Sequence, residues 1–164
     1  MATKTLDTLF HDTLKDVYYA ERKILKSLPK MQKAATSSDL QAAFEKHQVE
    51  TEGQIERLEQ IFEIIGKPAK GKTCDAINGI LEEGAEIIDE YKDSPALDAG
   101  LIASAQAVEH YEITRYGTLK RWALVLGLKD AAKLLDVTLQ QESKTDEGLT
   151  AIADATVNAK AMQS

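Results

Sequence analysis

The stretch Leu40-Gln41-Ala42-Ala43-Phe44-Glu45-Lys46-His47-Gln48-Val49-Glu50-Thr51-Glu52-Gly53-Gln54-Ile55-Glu56-Arg57-Leu58-Glu59-Gln60-Ile61-Phe62-Glu63-Ile64-Ile65 decides how the chain folds. Steps of three and four residues link Leu40, Ala43, Leu58, Ile61 and Ile65, the period of an amphipathic helix. Yet the three central slots of that stripe hold His47, Glu50 and Gln54. A helix that turns polar groups inward at mid-length needs partners for them, because an unpaired buried polar group is costly. The partners are sought elsewhere in the chain.

Working outward, the same pattern recurs three times. Before this stretch, a helix over about 6–35 steps through Leu14, Val17, Glu21, Ile24 and Leu28, with Glu21 in the central slot. Pro29 is expected to kink its last turns or end it near Leu28. Thr36, Ser37 and Ser38 form a break with capping chemistry. After the quoted stretch, Gly66 and Pro68 stop the helix and a Gly/Lys/Pro loop runs to Thr73. A shorter helix follows over about 74–91. Asp93-Ser94-Pro95 then reads as a cap with proline at the first helical position. A helix over about 95–126 steps through Leu101, Ala105, Glu109, Glu112, Tyr116 and Leu119. The last begins near Lys129 and steps through Ala131, Leu135, Thr138, Glu142, Asp146 and Leu149, fraying after Asn158.

Four long helices with one long crossover between the second and third, and short connections elsewhere, give two antiparallel pairs. The expected fold is all-α, a ferritin-like four-helix bundle whose crossover contains a short fifth helix. An up-down bundle with a loose insert is the alternative. The 164 residues suit a single domain, 1–164.

The carboxylates then carry the functional argument. Each long helix holds one near its middle on the buried stripe. Glu109 and Glu112 are three apart, while Glu50 and Gln54, and Glu142 and Asp146, are four apart, so each pair shares a face. Glu142 follows Glu50 by 92 residues, and Asp146 follows Gln54 by the same 92. The stripes supply no Lys or Arg, so the converging carboxylates need metal ions or shared protons. Their hard oxygen donors favour magnesium, manganese, calcium or iron. The metal set expected is Glu21, Glu50, Gln54, Glu109, Glu112, Glu142 and Asp146. His47 stands open between a ligand and a satisfied buried histidine. His110 is expected at a helix interface. Tyr18, Tyr111 and Tyr116 read as packing residues that could also donate hydrogen bonds.

Composition excludes other classes. A net charge of −7 argues against nucleic acid or anionic membrane as the main partner. Cys74 is the single cysteine, so no internal disulfide or cysteine-based cluster forms. The first ten residues lack a continuous apolar core, and no run reaches about 18 apolar residues, so neither a secretory signal nor a membrane span is expected and the chain reads as cytoplasmic.

The stretch from His47 to Leu58, with Ala107-Val108-Glu109-His110-Tyr111-Glu112-Ile113, Tyr116-Gly117-Thr118-Leu119, Leu28-Pro29-Lys30 and Ala131-Ala132-Lys133-Leu134-Leu135, resembles the YciE/YciF family of bacterial ferritin-like proteins, and its YciF branch most. The resemblance covers nearly the whole chain. It implies a rubrerythrin-like bundle with a centre of two metal ions, usually iron, a homodimer, and an association with stress responses; the oxygen-rich shell of this chain shifts the preference towards manganese or magnesium. The resemblance places Glu21, Glu50, Glu109, Glu112 and Glu142 in the carboxylate positions of a rubrerythrin-type site. The chain departs from the common Glu-x-x-His pattern, since Gly53 and Thr145 stand where each histidine would be. Three functions compete on these grounds: an oxygen- or peroxide-reacting protein, a structural or interaction protein whose metal only stabilises the fold, and iron storage.

Overall fold

The computed structural model describes residues 2–163 and contains only helices and connecting turns among them. α1 spans Leu6–Ala34, α2 Ser38–Ile64, α3 Asp75–Glu90, α4 Leu97–Val125 and α5 Lys129–Ile152. α1 packs on α2, α4 on α5, and the two pairs meet through α2 on α5 and α1 on α4. α3 lies in the long crossover and covers part of α1 and α4. This is the ferritin-like arrangement expected from the connection lengths.

The ends of the helices follow local chemistry. Ser37 caps α2, its hydroxyl accepting from the Leu40 amide at 3.3 Å. Gly66 and Gly127 stop α2 and α4 at φ 66° and 75°, a conformation that costs glycine little. Asp98 was not singled out in the sequence, yet it is buried and accepts from the Thr36 amide, the Thr36 hydroxyl and the Ser37 amide at 2.7–2.8 Å. It thereby ties the α1–α2 turn to the start of α4. At Gly100 a Cβ would come within 2.6 Å of Ile87 Cγ2, so glycine sets how closely α3 can lie on α4.

Three expectations need correction. α1 does not end near Leu28, one of the two outcomes expected of Pro29, but continues through it to Ala34. The proline ring is exposed, and Leu28, Met31 and Ala35 are buried on the other side, so burial outweighs the one lost backbone bond. α4 starts at Leu97, after a turn in which Ser94 accepts from the Ala96 amide at 3.1 Å and Asp93 takes φ 62°. The last helix does not fray at Asn158. It passes through a π-helical turn, Ala153–Val157, into α6, Asn158–Ala161, which keeps Ala153 and Val157 buried in line with Leu149.

The core is divided. One apolar cluster holds residues such as Ile24, Leu28, Leu40, Phe44, Ile77, Leu101 and Leu149. The other holds Phe10, Leu14, Leu58, Phe62, Leu119 and Leu135. Between them every long helix turns a polar residue inward. The anchored apolar residues on either side fix each helix's rotation and keep those polar groups buried.

Candidate metal centre

α1 supplies Glu21, α2 His47, Thr51 and Gln54, α4 Glu109 and Glu112, and α5 Thr138 and Glu142. All of these are buried, and Glu21, Gln54, Glu109, Glu112 and Glu142 have no exposed surface. His47, Glu109, Glu112 and Glu142 each offer a ligand atom, and those atoms lie within 4.8 Å of one another. His47 Nε2 stands 3.1 Å from Glu109 Oε1 and 3.9 Å from Glu142 Oε2. The ring is misaligned for a hydrogen bond, so Nε2 has no partner within the protein despite that short distance.

With every carboxyl ionised, the same is true of both oxygens of Glu109, both of Glu112, Glu21 Oε2, Glu142 Oε2 and Gln54 Oε1, so the carboxyls can bond one another only through a shared proton. Native interiors leave few buried polar atoms without partners. Here they are concentrated at one level and aimed at each other. Some contacts do exist around the rim. Tyr116 donates to Glu21 Oε1 at 2.7 Å. Gln54 donates to Glu142 Oε1, and to Gln141 Oε1 at 3.3 Å. Thr51 donates to the His47 carbonyl at 2.7 Å. Arg57 donates to Thr138 Oγ1 at 3.0 Å and to Gln141 Oε1. The stripes hold no Lys or Arg, but Arg57, beside Leu58 on α2, reaches the margin of the group and acts to lower the pKa of Glu21.

The electrostatics of the metal-free protein follow from this crowding. Burial raises the Glu21 carboxyl to about 8, opposed by hydrogen bonds from Glu112 and Tyr116. Burial, then the negative charge of Glu142 and its neighbours, holds Glu109 and Glu112 well above the ordinary carboxylate range. Glu142 goes the other way. Burial pushes it up, but hydrogen bonds from Glu112 and Glu109, the charge of His47 and the Gln54 amide outweigh that and lower it. Burial lowers His47. Burial and the facing carboxylates raise Tyr116 far above an ordinary phenol, so it is a hydrogen-bond donor to Glu21. Carboxylates this close share protons or a cation, because like charges in a low-dielectric core cannot all ionise.

Glu50 and Asp146 sit differently. The side chain of Glu50 is 18% exposed, 3.7 Å from Lys46 Nζ, and accepts from Thr145 Oγ1 at 3.2 Å. The buried face of α2 centres on Leu40, Thr51 and Leu58, and at 100° per residue Glu50 is displaced from it by roughly 80°. Asp146 is 20% exposed and lies 3.0 Å from His110 Nε2. His110 was expected at a helix interface; it is 68% exposed and touches the bundle through that contact. His47 and Thr51 were the buried residues that the sequence left undecided or missed. The i, i+4, i+7 series His47–Thr51–Gln54 was the available signal.

Donor chemistry fits a hard or borderline cation: three carboxylates and one imidazole converge, and of their facing atoms only Glu142 Oε1 is taken by a donor, the Gln54 amide. The group could hold a metal ion.

A family described as a domain of unknown function, DUF892, matches residues 5–162. The chain belongs to the DUF892 family. Within it, the chain is 43% identical over 162 residues to Protein YciF of Escherichia coli K12, covering 98% of both chains. Two solved structures of similar chains agree with the fold. The E. coli stress protein YciF gives a TM-score of 0.90 at 43% identity over 95% of this chain and 99% of that one. YcfI of Rhodopseudomonas palustris gives 0.87 at 44% identity over 90% and 94%. A Xanthomonas campestris protein at 22% identity and TM-score 0.73 shares the fold. Among the described residues, no helix of the DUF892 chain is long and apolar enough to cross a membrane.

Proposed function

We propose that this DUF892 protein holds a dinuclear metal centre in its bundle core and uses it against dioxygen or peroxide under stress. The observation that carries the proposal is the group His47, Glu109, Glu112 and Glu142, with ligand atoms within 4.8 Å and no hydrogen-bond partner for most of them. Glu21 and Gln54 face the same space and complete a set large enough for two ions. Glu50 and Asp146, at the open edge, belong to the proposed set as the carboxylates nearest solvent. Iron is the metal favoured, with manganese or magnesium next for so oxygen-rich a shell. When bound, iron would supply electrons to the oxidant.

The chain's own residues do the rest. Glu21, Glu109 and Glu112 hold protons in the metal-free state and release them on loading. Tyr116 keeps Glu21 oriented. Gln54, braced by Gln141 and Arg57, fixes Glu142. The two apolar clusters exclude water above and below. The stress role rests on the E. coli relative's description, and a homodimer is part of the same reading.

Metal analysis of protein purified without added metal tests this, followed by stopped-flow oxidation of the reduced, iron-loaded form. Two ions per chain and oxidation faster than free ferrous ion are expected. Absence of bound metal, or loss of iron on simple dialysis, contradicts it. A second reading is favoured by Gly53 and Thr145, which replace two expected imidazoles: the metal only stabilises the fold. That reading predicts a large fall in Tm on chelation and no oxidant consumption.

A further inference from the structure

A cavity of about 250 Å³ opens between α1, α3 and α4, away from the carboxylate group. Its walls are apolar, formed chiefly by Met31, Ile80, Leu81, Ile88 and Val108. Lys26 and Lys30, one turn apart on α1, stand at its mouth. Both are exposed, and neither lies within ion-pair distance of a carboxylate among the described residues. A neighbouring cavity of about 240 Å³ shares Lys26 and adds Arg22 and Lys23 beside Tyr19. Four cations, none of them ion-paired among the described residues, therefore cluster at one place on a chain of net charge −7. Charges that neutralise nothing within the protein mark a surface that attracts anions.

Inward, the large cavity leads to a narrow void of about 10 Å³ that shares Ser27, Met31, Leu81 and Val108 with it. That void is barely the size of one water, and His47 is among the residues that line it. The cavity thus has a cationic rim, an apolar body and an inner end one side-chain layer from His47. Its volume falls just below the range of about 300–1,000 Å³ for small-molecule sites, which suits a short ligand.

We propose that this cavity binds a small amphipathic carboxylate, a short unbranched acyl chain whose head group sits at Lys26 and Lys30 and whose tail points along Leu81 and Val108 towards His47. The tail is held by burial of apolar surface and the head by the unpaired lysines. This site is distinct from the metal centre and stands whether or not metal is bound.

Calorimetric titration of the full chain with octanoate, octanol and acetate, all below any micelle-forming concentration, tests it. Octanoate should bind once per chain, octanol more weakly, and acetate not measurably. Lys26→Gln with Lys30→Gln, both on the surface and harmless to folding, should weaken octanoate about five-fold. Ala85→Trp, which fills the cavity, should abolish binding while circular dichroism shows a folded protein. Because the chain has three histidines, ring-labelled NMR locates the tail: the His47 signals should move on octanoate binding and those of His11 and His110 should not. The proposal is overturned if octanoate does not bind, if the lysine pair can be neutralised without effect, or if the His47 signals stay where they are.

Discussion

The apolar ends of the bundle and its polar waist are built mainly by the same four long helices but obey opposite rules. At the ends, Phe62, Leu119 and their neighbours lose contact with water and gain contact with each other. At the waist, Glu21, Glu109, Glu112 and Glu142 lose contact with water and gain little within the protein. The ends therefore stabilise the fold, and the waist costs stability that the ends must offset. A protein keeps such an arrangement when another component supplies the missing partners. That component belongs at the level where burial and hydrogen bonding part company.

The comparison can be broken most forcefully at the ends. Phe62→Ala should destabilise by about 3–5 kcal/mol in denaturant melts, since it leaves a cavity in a closely packed cluster. Its metal content should stay unchanged, because Phe62 is not part of the waist. Loss of metal along with stability would show that the two regions are not separable.

At the waist the expected effect depends on metal. Glu112→Gln should remove at least one ion per chain, read by metal analysis. In chelated protein it should leave Tm unchanged or raise it, since it deletes one of the crowded carboxyls. A fall in the Tm of the chelated protein would mean that Glu112 stabilises the fold by itself.

pH sharpens the contrast. Glu21, Glu109 and Glu112 have raised pKa values in the folded metal-free protein, and Glu21 reaches about 8 from 4.5. Between those values the native state binds more protons than the unfolded state, so stability falls as pH rises. For Glu21 the stabilising contribution is whole below about pH 4.5 and is lost by about pH 8. Denaturant melts of chelated protein from pH 5 to 8.5 should show this decline. Metal-loaded protein should not, because loading has already displaced the protons.

Smaller effects separate the members of the site. Tyr116→Phe removes the donor to Glu21 and should cost about 1–2 kcal/mol. Glu50→Ala should reduce metal content less than Glu112→Gln does, since Glu50 already meets solvent and Lys46.

Much of this was legible from spacing. The helix order, the crossover and the level of the polar waist follow from steps of three and four, which the helix period enforces. Glu109, Glu112 and Glu142 could be placed because each is flanked on its own stripe by large apolar residues. Glu50 was harder. It and His47 lie on the same broad face, and which one points inward depends on a rotation of tens of degrees fixed by packing against α1 and α5. The 92-residue echo did not resolve it, because equal spacing in two helices does not give them equal rotation: Glu142 is buried and Glu50 is not. Asp98 was illegible for a different reason, since its partners are backbone groups of Thr36 and Ser37 that only folding brings near. Pro29 does not end α1 because one lost hydrogen bond is outweighed by burial on the opposite face.

The central claim is that the waist is a two-metal centre. Crystallographic anomalous scattering at the iron and manganese edges, on protein purified without added metal or chelator, tests it most directly. Two peaks should appear in the space bounded by Glu21, His47, Glu109, Glu112 and Glu142, and the edge at which they appear identifies the metal. Featureless anomalous maps at both edges, with ordered water or direct hydrogen bonds joining the carboxyls, would contradict it.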